Sequence, residues 1–489
     1  MHLAFYKRLC KTCDSILLAH AVNHPDVLSI SSLHVLNGHP SHIARYQGSV
    51  PSQFTSIFKF FVSTLYKIIL GVSHCFQRPL SSKELNPEVV VFSHLLKTEH
   101  LKDSSDFYFG NLHHFLLSFG KRTLFVLFNH TGKPELHIWS DPQANISFRL
   151  PVLKNLNSLD EIRISLSQLL LFLRFRRSPN SSQIQAVPNL IHEILSARTS
   201  SNLRFYQQIH SLLLNLRPSS VIVTYEGHGW ERLAFYAARN ANPNVTCIGY
   251  QHAIIFPMQH SIQRSLGCQF DPDVVLFAGK SGRDWFLNHT NFSPKLDVVG
   301  TPRYTKLATN VSAKINSLRS KPACLLLPDG TMSESRVIFR FGLLCAKHFK
   351  NITFTIRFHP LISYELLLAN DPTFRDLPVN FVLSKQPIDN DFAQSLWAVY
   401  RGSGAGIRAA MSGLRPIYYN DLSLGMRIDS LHMLSAWRRD VFSVESLSDI
   451  FHDDLLPNSN TFNSEYLSVR SQLDTLFSPF TPMKFLDYI

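Results

Sequence analysis

A carboxylate beside two glycines follows a buried β-branched run, within YEGHGWE at residues 225–231. At the end of a strand, Glu226 could take a proton from a hydroxyl group, and the glycines would leave room for a substrate. Gly227, His228 and Glu231 would then lie on the acceptor side of the site. Two structural roles stay open: Glu226 could cap the helix that follows, and Glu231, in its first turn, is expected to stabilise that helix.

A glycine turn further along the chain could hold an anion. In YRGSGAG, residues 400–406, Gly402, Ser403 and Gly404 form a tight turn between a buried strand and a helix, and Arg401 belongs to the same predicted site. Backbone N–H groups and the positive end of the helix dipole favour a phosphate there. The spacing matches neither a dinucleotide fingerprint nor a Walker loop, which disfavours hydride transfer and ATP chemistry. An ordinary glycine-rich turn is the alternative.

The stretch IRFHP, residues 356–360, ends another predicted strand of the same half. Ligands of open α/β sheets collect beyond the carboxyl ends of the strands. There His359, followed by Pro360, could donate to a phosphate or a pyrimidine, and Arg357 could balance phosphate charge. A histidine at a strand end is more often structural, so the turn at Gly402–Gly404 is what makes a nucleotide site the better interpretation.

Two further strand ends add candidates. GYQHA, residues 249–253, ends the next predicted strand, so His252 is expected to face the same cleft as Glu226. We count His252 as a second catalytic candidate. VVGTPR, residues 298–303, has the pattern of a hinge loop that would place Gly300 near the ligand and Arg303 against a phosphate. No acidic pair ends a strand as a metal site would, so neither a metal nor a cofactor is expected.

Short β-branched runs alternate with helical patterns along most of the chain, which is typical of doubly wound parallel sheets. They form two series that meet near residues 255–270. We therefore predict an α/β fold of two Rossmann-like domains whose parallel sheets face a central cleft. The predicted units are an N-terminal accessory region at 1–86, an acceptor domain at 87–262, a nucleotide-binding domain at 263–430 and a helical tail at 431–489.

Composition narrows the class of protein. The 489 residues are too many for one compact core, and 45% of them are hydrophobic, as in a globular protein. A net charge of +13 favours anionic partners, but the basic residues form no long block, so nucleic acid is not expected. Seven scattered cysteines and no secretory signal indicate a reduced, cytoplasmic protein, and the lone pair Cys10 and Cys13 does not predict a zinc site.

The segment at residues 52–72 raises the question of a membrane. Its polar residues recur at helical spacing and form one stripe: Ser52, Ser56, Lys59, Ser63 and Lys67. Its apolar residues form the opposite face: Phe58, Phe61, Leu65, Ile68 and Ile69. This pattern predicts an amphipathic helix that either lies in an anionic membrane surface or packs on a domain, and the central lysines disfavour a helix that spans the bilayer.

Together, the motifs resemble those of a known enzyme family. Residues of about 88–445 resemble the GT-B glycosyltransferases, and more specifically the bacterial surface carbohydrate biosynthesis proteins of O-antigen and capsule pathways. The motifs that carry the resemblance are YEGHGWE, GYQHA, VVGTPR, IRFHP and YRGSGAGIRAAMSGLRPIYYN. The acidic-Gly stretch, the His-Pro pair and the downstream serine are also similar to those of bacterial sialyltransferases and polysialyltransferases.

The resemblance implies roles for individual residues. Glu226 would be the general base, His359 would contact a CMP-activated donor and Ser403 would contact its phosphate. Tyr225 departs from the pattern, because those enzymes often have a second acid there. The accessory region at 1–86 lies outside the sialyltransferase resemblance.

The function implied is the transfer of a sugar from a nucleotide-activated donor to a surface polysaccharide or a lipid-linked precursor, by an inverting, metal-independent reaction. The enzyme would act in the cytoplasm, with peripheral contact to an anionic membrane at the inner face of the plasma membrane. Three alternatives stay open: a polyol-phosphate transferase that uses a CDP-activated donor, a sugar-nucleotide epimerase on the same fold, and a non-catalytic assembly protein with a degenerate cleft.

Overall fold

The computed structural model describes residues 3–35, 46, 53–73, 86–96, 98–101, 105–131, 148–152, 156–177, 186–253, 255–256, 258–290, 292, 294–421, 427–456 and 461–489. Over these residues the chain forms two parallel sheets covered by helices, and a further helical layer from the N-terminus. Ser52, one of the residues in the predicted polar stripe, lies outside the described residues.

The first domain is built on a seven-stranded parallel sheet with the order β3-β2-β1-β4-β5-β6-β7. Its strands are β1 (Val89–Leu95), β2 (Thr123–Asn129), β3 (Phe148–Pro151), β4 (Ser220–Thr224), β5 (Thr246–Gln251), β6 (Val274–Phe277) and β7 (Lys295–Val298). The central strands are buried on both faces, which explains their unbroken β-branched runs. The strand order reverses between β1 and β4, and ligands of such sheets bind beyond the strand ends at that point.

The second domain repeats this arrangement with six parallel strands in the order β10-β9-β8-β11-β12-β13. Its strands are β8 (Ala323–Leu327), β9 (Thr353–Ile356), β10 (Phe381–Leu383), β11 (Trp397–Tyr400), β12 (Arg415–Tyr419) and β13 (Arg439–Val441). The order reverses between β8 and β11. The glycine turn at 402–404 follows β11 directly, so it lies at the reversal point of the second sheet.

The helices cover both faces of the two sheets. In chain order they are α1 (Leu3–His20), α2 (Gln53–Ser73), α3 (Leu112–Ser118), α4 (Ser158–Arg176), α5 (Leu190–Ile194), α6 (Ala197–Leu216), α7 (Gly229–Ala241), α8 (Lys280–His289), α9 (Val311–Leu318), α10 (Met332–His348), α11 (Tyr364–Asn370), α12 (Ile388–Ala393), α13 (Ala405–Met411), α14 (Ser446–Leu455) and α15 (Thr461–Leu476). The loops before α7 and α13 come from β4 and β11, the strands beside the two reversal points.

The predicted α/β fold of two Rossmann-like domains is confirmed, and it has the two-domain arrangement called GT-B. The predicted domain boundary at residue 262 is wrong, because β6 and β7 complete the first sheet. The predicted end of the second domain at residue 430 is also wrong, because β13 pairs with β12. Strands of both domains alternate with helices in the same way, so the sequence pattern alone could not assign these strands to a sheet.

The C-terminal segment returns to the first domain, so residues 431–489 do not form a separate tail. After α15, the Ser478 amide donates to the Ala278 carbonyl at 2.8 Å, and the Thr301 amide donates to the Ser478 carbonyl at 3.0 Å. Gly300 has a φ of +77°, and a Cβ there would strike the carbonyl of Pro479. The glycine therefore allows two crossings of the chain to lie together, and the prediction that it lies near the ligand stays a prediction.

The N-terminal helical layer is part of the first domain. α1 and two 3-10 turns, Pro25–Ser29 and Ser31–Leu33, pack with α4 and α5 around one apolar core. Leu233 of α7 belongs to the same core. The accessory region predicted at residues 1–86 therefore supports the helix that follows the candidate catalytic loop.

A substitution of the returning segment tests this packing. Phe485 is fully buried in the core of the first domain, so we expect Phe485→Ala to lower the free energy of unfolding by about 3–5 kcal/mol. Met483, two residues away, is 51% exposed, and Met483→Ala is expected to change the free energy of unfolding by less than about 0.5 kcal/mol. Denaturant unfolding measures both variants, and equal effects would contradict the docking of this segment.

Candidate active site

The loop after β4 is held by a buried carboxylate. Glu231, in the first turn of α7, accepts hydrogen bonds from the backbone amides of Glu226, Gly227 and His228 at 2.7 to 3.0 Å. Because Glu231 is buried and caps the helix, the prediction that it lies on the acceptor side is wrong. The alternative in which Glu226 caps the helix is also wrong.

The two glycines of this loop make room for the protein itself. Gly227 has a φ of +87°, and a Cβ there would strike Ser261, whose hydroxyl donates to the Glu226 carbonyl at 3.0 Å. A Cβ at Gly229 would strike the carbonyl of Leu28. The expectation that these glycines leave room for a substrate is therefore wrong, and they instead allow the loop to be packed from two sides.

This packing leaves the side chain of Glu226 about one third exposed at the carboxyl end of β4. Its Oε2 lies 3.3 Å from His228 Nε2, and its Oε1 lies 3.8 Å from His252 Nε2. Burial raises the pKa of the Glu226 carboxyl, but the hydrogen bond with His228 and the electrostatic interactions with His252, His228 and His94 together outweigh burial, and the pKa falls to about 2. Glu226 is therefore ionised at neutral pH.

His252 is the second group at this edge. Burial, together with the charge of Arg303, lowers the pKa of His252 to about 3 despite the opposing effect of Glu226. The ring is therefore neutral at neutral pH. Glu226 and His252 together offer a carboxylate and an imidazole that can both accept a proton.

Sequence reasoning missed two histidines and a tyrosine at the same edge. His94, at the end of β1, lies across the reversal point from β4, with Nε2 3.1 Å from Thr224 Oγ1 and Nδ1 2.9 Å from His130 Nε2. The ring of Tyr108 packs on His252 with 4.4 Å between centroids. His94 and His130 are polar residues at the ends of β-branched runs, which was the available signal. Tyr108 follows no pattern in the sequence.

Arg303 connects the two domains. Its Nη2 donates to the backbone carbonyl of His252 at 2.7 Å, and its guanidinium lies over the ring of Tyr108, 5.6 Å from the centroid. Burial of His359 and of Arg408, both in the second domain, is the main cause that lowers their pKa values, and the positive charge of Arg303 lowers both further. We call the edge of the first sheet that carries Glu226 and His252 the candidate catalytic edge. Arg303 therefore contacts this edge and lies within electrostatic reach of the second domain.

The second domain contributes two further guanidinium groups. Arg357 donates to Asp391 Oδ2 at 3.0 Å, so a buried carboxylate partly offsets its charge. Arg408, in α13, donates to Thr305 Oγ1 at 2.9 Å and to Asp389 Oδ1 at 2.8 Å. Arg408 was not predicted, although it stands in the motif that follows the glycine turn.

These side chains form a cationic cluster. Burial is the main cause that lowers the pKa of Arg408, and the charges of Arg303 and Arg357 act in the same direction. His359 follows β9 and lies against Gly330, and Pro360 after it is exposed. We call Arg303, Arg357 and Arg408 the cationic cluster; His359 beside it is a neutral imidazole, because burial and the charge of Arg303 lower its pKa.

The glycine turn at 402–404 precedes α13, the helix that carries Arg408. Ser403 is buried beside Gly402 and Gly404, and its carbonyl accepts a hydrogen bond from the Gly406 amide at 3.0 Å. Arg401 points into the domain instead, where Nε donates to Glu334 at 2.6 Å and Nη1 donates to the Tyr419 carbonyl at 2.7 Å. The predicted contact of Arg401 with a nucleotide is therefore wrong.

A cavity of about 320 Å³ lies between the domains. Gln251 and Ala253, which flank His252, line it from the first domain, and Ile407 of α13 lines it from the second. Glu226, His252 and the cationic cluster do not line this cavity. They are related through Arg303, which contacts His252 and lies within electrostatic reach of His359 and Arg408, and we call this junction of the two domains the crevice. Within the described residues, no three His, Cys, Asp or Glu side chains are arranged to hold a metal ion, and metal independence stays a prediction.

Comparison with known proteins finds similarity in overall structure. No protein-family model matches the sequence, and no curated protein matches it. The chain is similar to the structure of α,α-trehalose 6-phosphate synthase from Burkholderia multivorans, with 10% identity, a TM-score of 0.48 and coverage of 82% of this chain and 97% of the other.

Two further structures show the same level of similarity. The glycosyltransferase SnogD from Streptomyces nogalater has 14% identity, a TM-score of 0.46 and coverage of 82% and 99%. A putative UDP-N-acetylglucosamine 2-epimerase from Listeria monocytogenes has 11% identity, a TM-score of 0.46 and coverage of 82% and 95%. At these identities the similarities identify neither a substrate nor a reaction.

The reach of Arg303 across the crevice can be tested by titration. Its positive charge disfavours protonation of His359, so we expect Arg303→Ala to raise the pKa of His359, measured by NMR of the imidazole protons. Arg375→Ala, which removes an exposed cation elsewhere on the second domain, is the control and should leave that pKa unchanged. An unchanged pKa in Arg303→Ala would show that Arg303 does not face the second domain.

Proposed function

We propose that the protein is an inverting glycosyltransferase of the GT-B type that transfers a sugar from a nucleotide-activated donor. The observation that carries the proposal is the approach of opposite charges at the crevice, where Arg303 contacts His252 beside Glu226 and lies within electrostatic reach of Arg408. The first domain holds an ionised carboxylate, Glu226, and the cationic cluster extends from Arg303, which contacts the first domain, to Arg357 and Arg408 of the second. A proton acceptor facing a phosphate-binding surface is what such a transfer requires.

On the donor side, the bond between the anomeric carbon and the phosphate oxygen breaks, and the electron pair leaves with the nucleotide. The negative charge on the departing phosphate is stabilised by guanidinium groups of the cationic cluster and by the Ser403 hydroxyl. Arg408 carries the largest share in this proposal, because Arg303 and Arg357 already have partners in His252 and Asp391 while Arg408 pairs with the exposed Asp389.

On the acceptor side, a hydroxyl oxygen forms the new bond to the anomeric carbon and loses its proton to Glu226. The reaction therefore inverts the configuration at that carbon. His252, neutral and 3.8 Å from Glu226, positions the carboxylate and can accept the proton in a second step. His228 donates to Glu226 and orients it towards the crevice.

The finer assignments rest on the motifs. The His359-Pro360 pair and the downstream serine support a CMP-sugar as donor, and the resemblance to surface carbohydrate proteins supports a polysaccharide or lipid-linked acceptor on the inner face of the plasma membrane. The proposal includes the cytoplasm as location and a nucleotide-sugar as the donor partner, with neither a metal nor a cofactor. A CDP-polyol donor is the nearest alternative, because the same cluster would bind its phosphates.

The identity of the nucleotide can be tested by thermal shift with CMP, CDP, UDP and GDP. We expect a cytidine nucleotide to raise the Tm most. Arg408→Ala should weaken its binding by about tenfold or more, because a charge-assisted hydrogen bond is lost. Arg375→Ala, which removes an exposed cation outside the crevice, is the matched control and should bind as the wild type does. If no nucleotide raises the Tm, the chain is a non-catalytic assembly protein.

The role of Glu226 can be tested separately from binding. Glu226→Gln keeps the shape of the side chain and removes its basicity, so we expect kcat to fall by about 10²–10⁴-fold while the Kd of the nucleotide stays within about twofold. His359→Ala should show the opposite pattern, with weaker binding. Full turnover by Glu226→Gln would contradict the assignment of the base, and turnover of the donor without any acceptor would indicate an epimerase.

A further inference from the structure

The helical layer of the first domain presents an apolar face to solvent. On α2, the side chains that are more than half exposed recur every one to four residues and are all on one side of the helix: Phe58, Phe61, Val62, Leu65, Tyr66, Ile69 and Val72. On α4, the exposed apolar side chains are Leu159, Ile162, Leu166 and Leu170. A surface helix of a soluble domain normally turns its apolar side inward, so this orientation is reversed.

The polar side of α2 faces the protein. Thr64 Oγ1 lies 3.2 Å from Ser165 Oγ of α4, and the Lys67 ammonium donates to Ser200 Oγ of α6 at 3.3 Å. Burial lowers the pKa of Lys67 to about 8. Lys67 of the predicted polar stripe therefore faces the domain, whereas Lys59 of the same stripe is exposed. The helix does pack on a domain, through these polar contacts and the buried Phe60, but the predicted apolar face does not, because Phe58, Phe61, Leu65 and Ile69 are exposed.

The apolar stripes of α2 and α4 form one surface, which we call the apolar face. The two helices lie side by side, because the Ser158 hydroxyl donates to the Ile68 carbonyl at 2.9 Å and a Cβ on Gly71 would strike the Ser158 backbone. With side chains of this size about half exposed, the face covers on the order of 1,000 Å², more than the roughly 300–600 Å² of the largest patch on a typical monomer.

The charges on the apolar face are positive. Residues 53–73 contain no Asp or Glu, and Lys59 is exposed between the aromatic residues. On α4, Arg163 is exposed beside its partner Asp160, and Arg177 follows Leu170 by seven residues on the same side. Aromatic and aliphatic side chains flanked by Lys and Arg match the interface of an anionic bilayer, where apolar groups enter the acyl boundary and cations contact headgroups.

Two other occupants fit this face less well. A second copy of the chain, packed on this face, would bury Lys59 and Arg177 in the interface with no carboxylate on α2 to pair with them. A bilayer span fits Thr55–Val72 by length and composition, with a mean hydropathy of 1.4. A spanning α2 would, however, have to break its polar contacts with Ser165 and Ser200 and carry Lys67 into the lipid.

We propose that α2 and α4 dock the protein peripherally on an anionic lipid bilayer, with α2 lying in the plane of the interface and still bound to its domain. The purpose of this docking rests on the proposed function, because a lipid-linked acceptor would be reached from the membrane surface on which the enzyme lies. Binding to vesicles needs no nucleotide and no acceptor, so it is measured independently of catalysis.

The test is cosedimentation of the full chain with phosphatidylcholine vesicles, with and without phosphatidylglycerol. We expect binding that requires phosphatidylglycerol and weakens as salt is raised. The triple variant Phe61→Ser, Leu65→Ser, Ile69→Ser should lower the partition coefficient by about tenfold or more, because exposed apolar groups no longer enter the bilayer. The matched control, Leu344→Ser, Leu366→Ser, Val379→Ser, changes exposed apolar residues of the second domain and should bind as the wild type does.

Folding and nucleotide binding of the triple variant are checked by its Tm and by its thermal shift with the nucleotide, and both should be unchanged. The proposal is overturned by equal vesicle binding of the triple variant and the wild type. It is also overturned if the wild type is a dimer that the triple variant converts to a monomer without any vesicle binding, or if alkaline carbonate fails to extract the wild type from membranes, which would indicate a span.

Discussion

The arrangement of the molecule depends on one constraint, the pair of chain crossings between the domains. The segment after β7 and the segment after α15 lie side by side, and Gly300 makes this possible because a side chain there would strike Pro479. In each parallel sheet all strands end at the same edge. With both crossings fixed, Arg303, three residues after Gly300, contacts His252 beside Glu226 and lies within electrostatic reach of Arg408, so these groups share the junction of the two domains.

Burial and neighbouring charges then decide the state of each group in that crevice. In the first domain histidines surround Glu226. Burial keeps His94 and His252 neutral, while the hydrogen bond from His228 and the electrostatic interactions with the histidines together keep Glu226 ionised. The second domain contributes cations whose charges partly repel one another. The crevice is therefore preorganised for a reaction in which a proton leaves on one side and a phosphate charge develops on the other.

The sequence predicted what is local and missed what depends on contacts between distant segments. Two Rossmann-like domains followed from the β-branched runs, and the ends of these runs located Glu226, His252 and His359. The glycines were misinterpreted, since Gly227 and Gly229 face Ser261 and Leu28, residues that no local pattern connects to the loop. The buried partner of Arg401 and the return of the C-terminus were likewise beyond a local pattern. The helix-stabilising role of Glu231, by contrast, followed from its place in the first helical turn.

The account is tested most directly by a crystal structure of the protein with the nucleotide that stabilises it most. The account predicts that the phosphates lie within about 3 Å of the Arg408 guanidinium or the Ser403 hydroxyl, with the end of the nucleotide that carries the sugar facing Glu226 across the crevice. A nucleotide bound on any other surface, with the cationic cluster unoccupied, would contradict it.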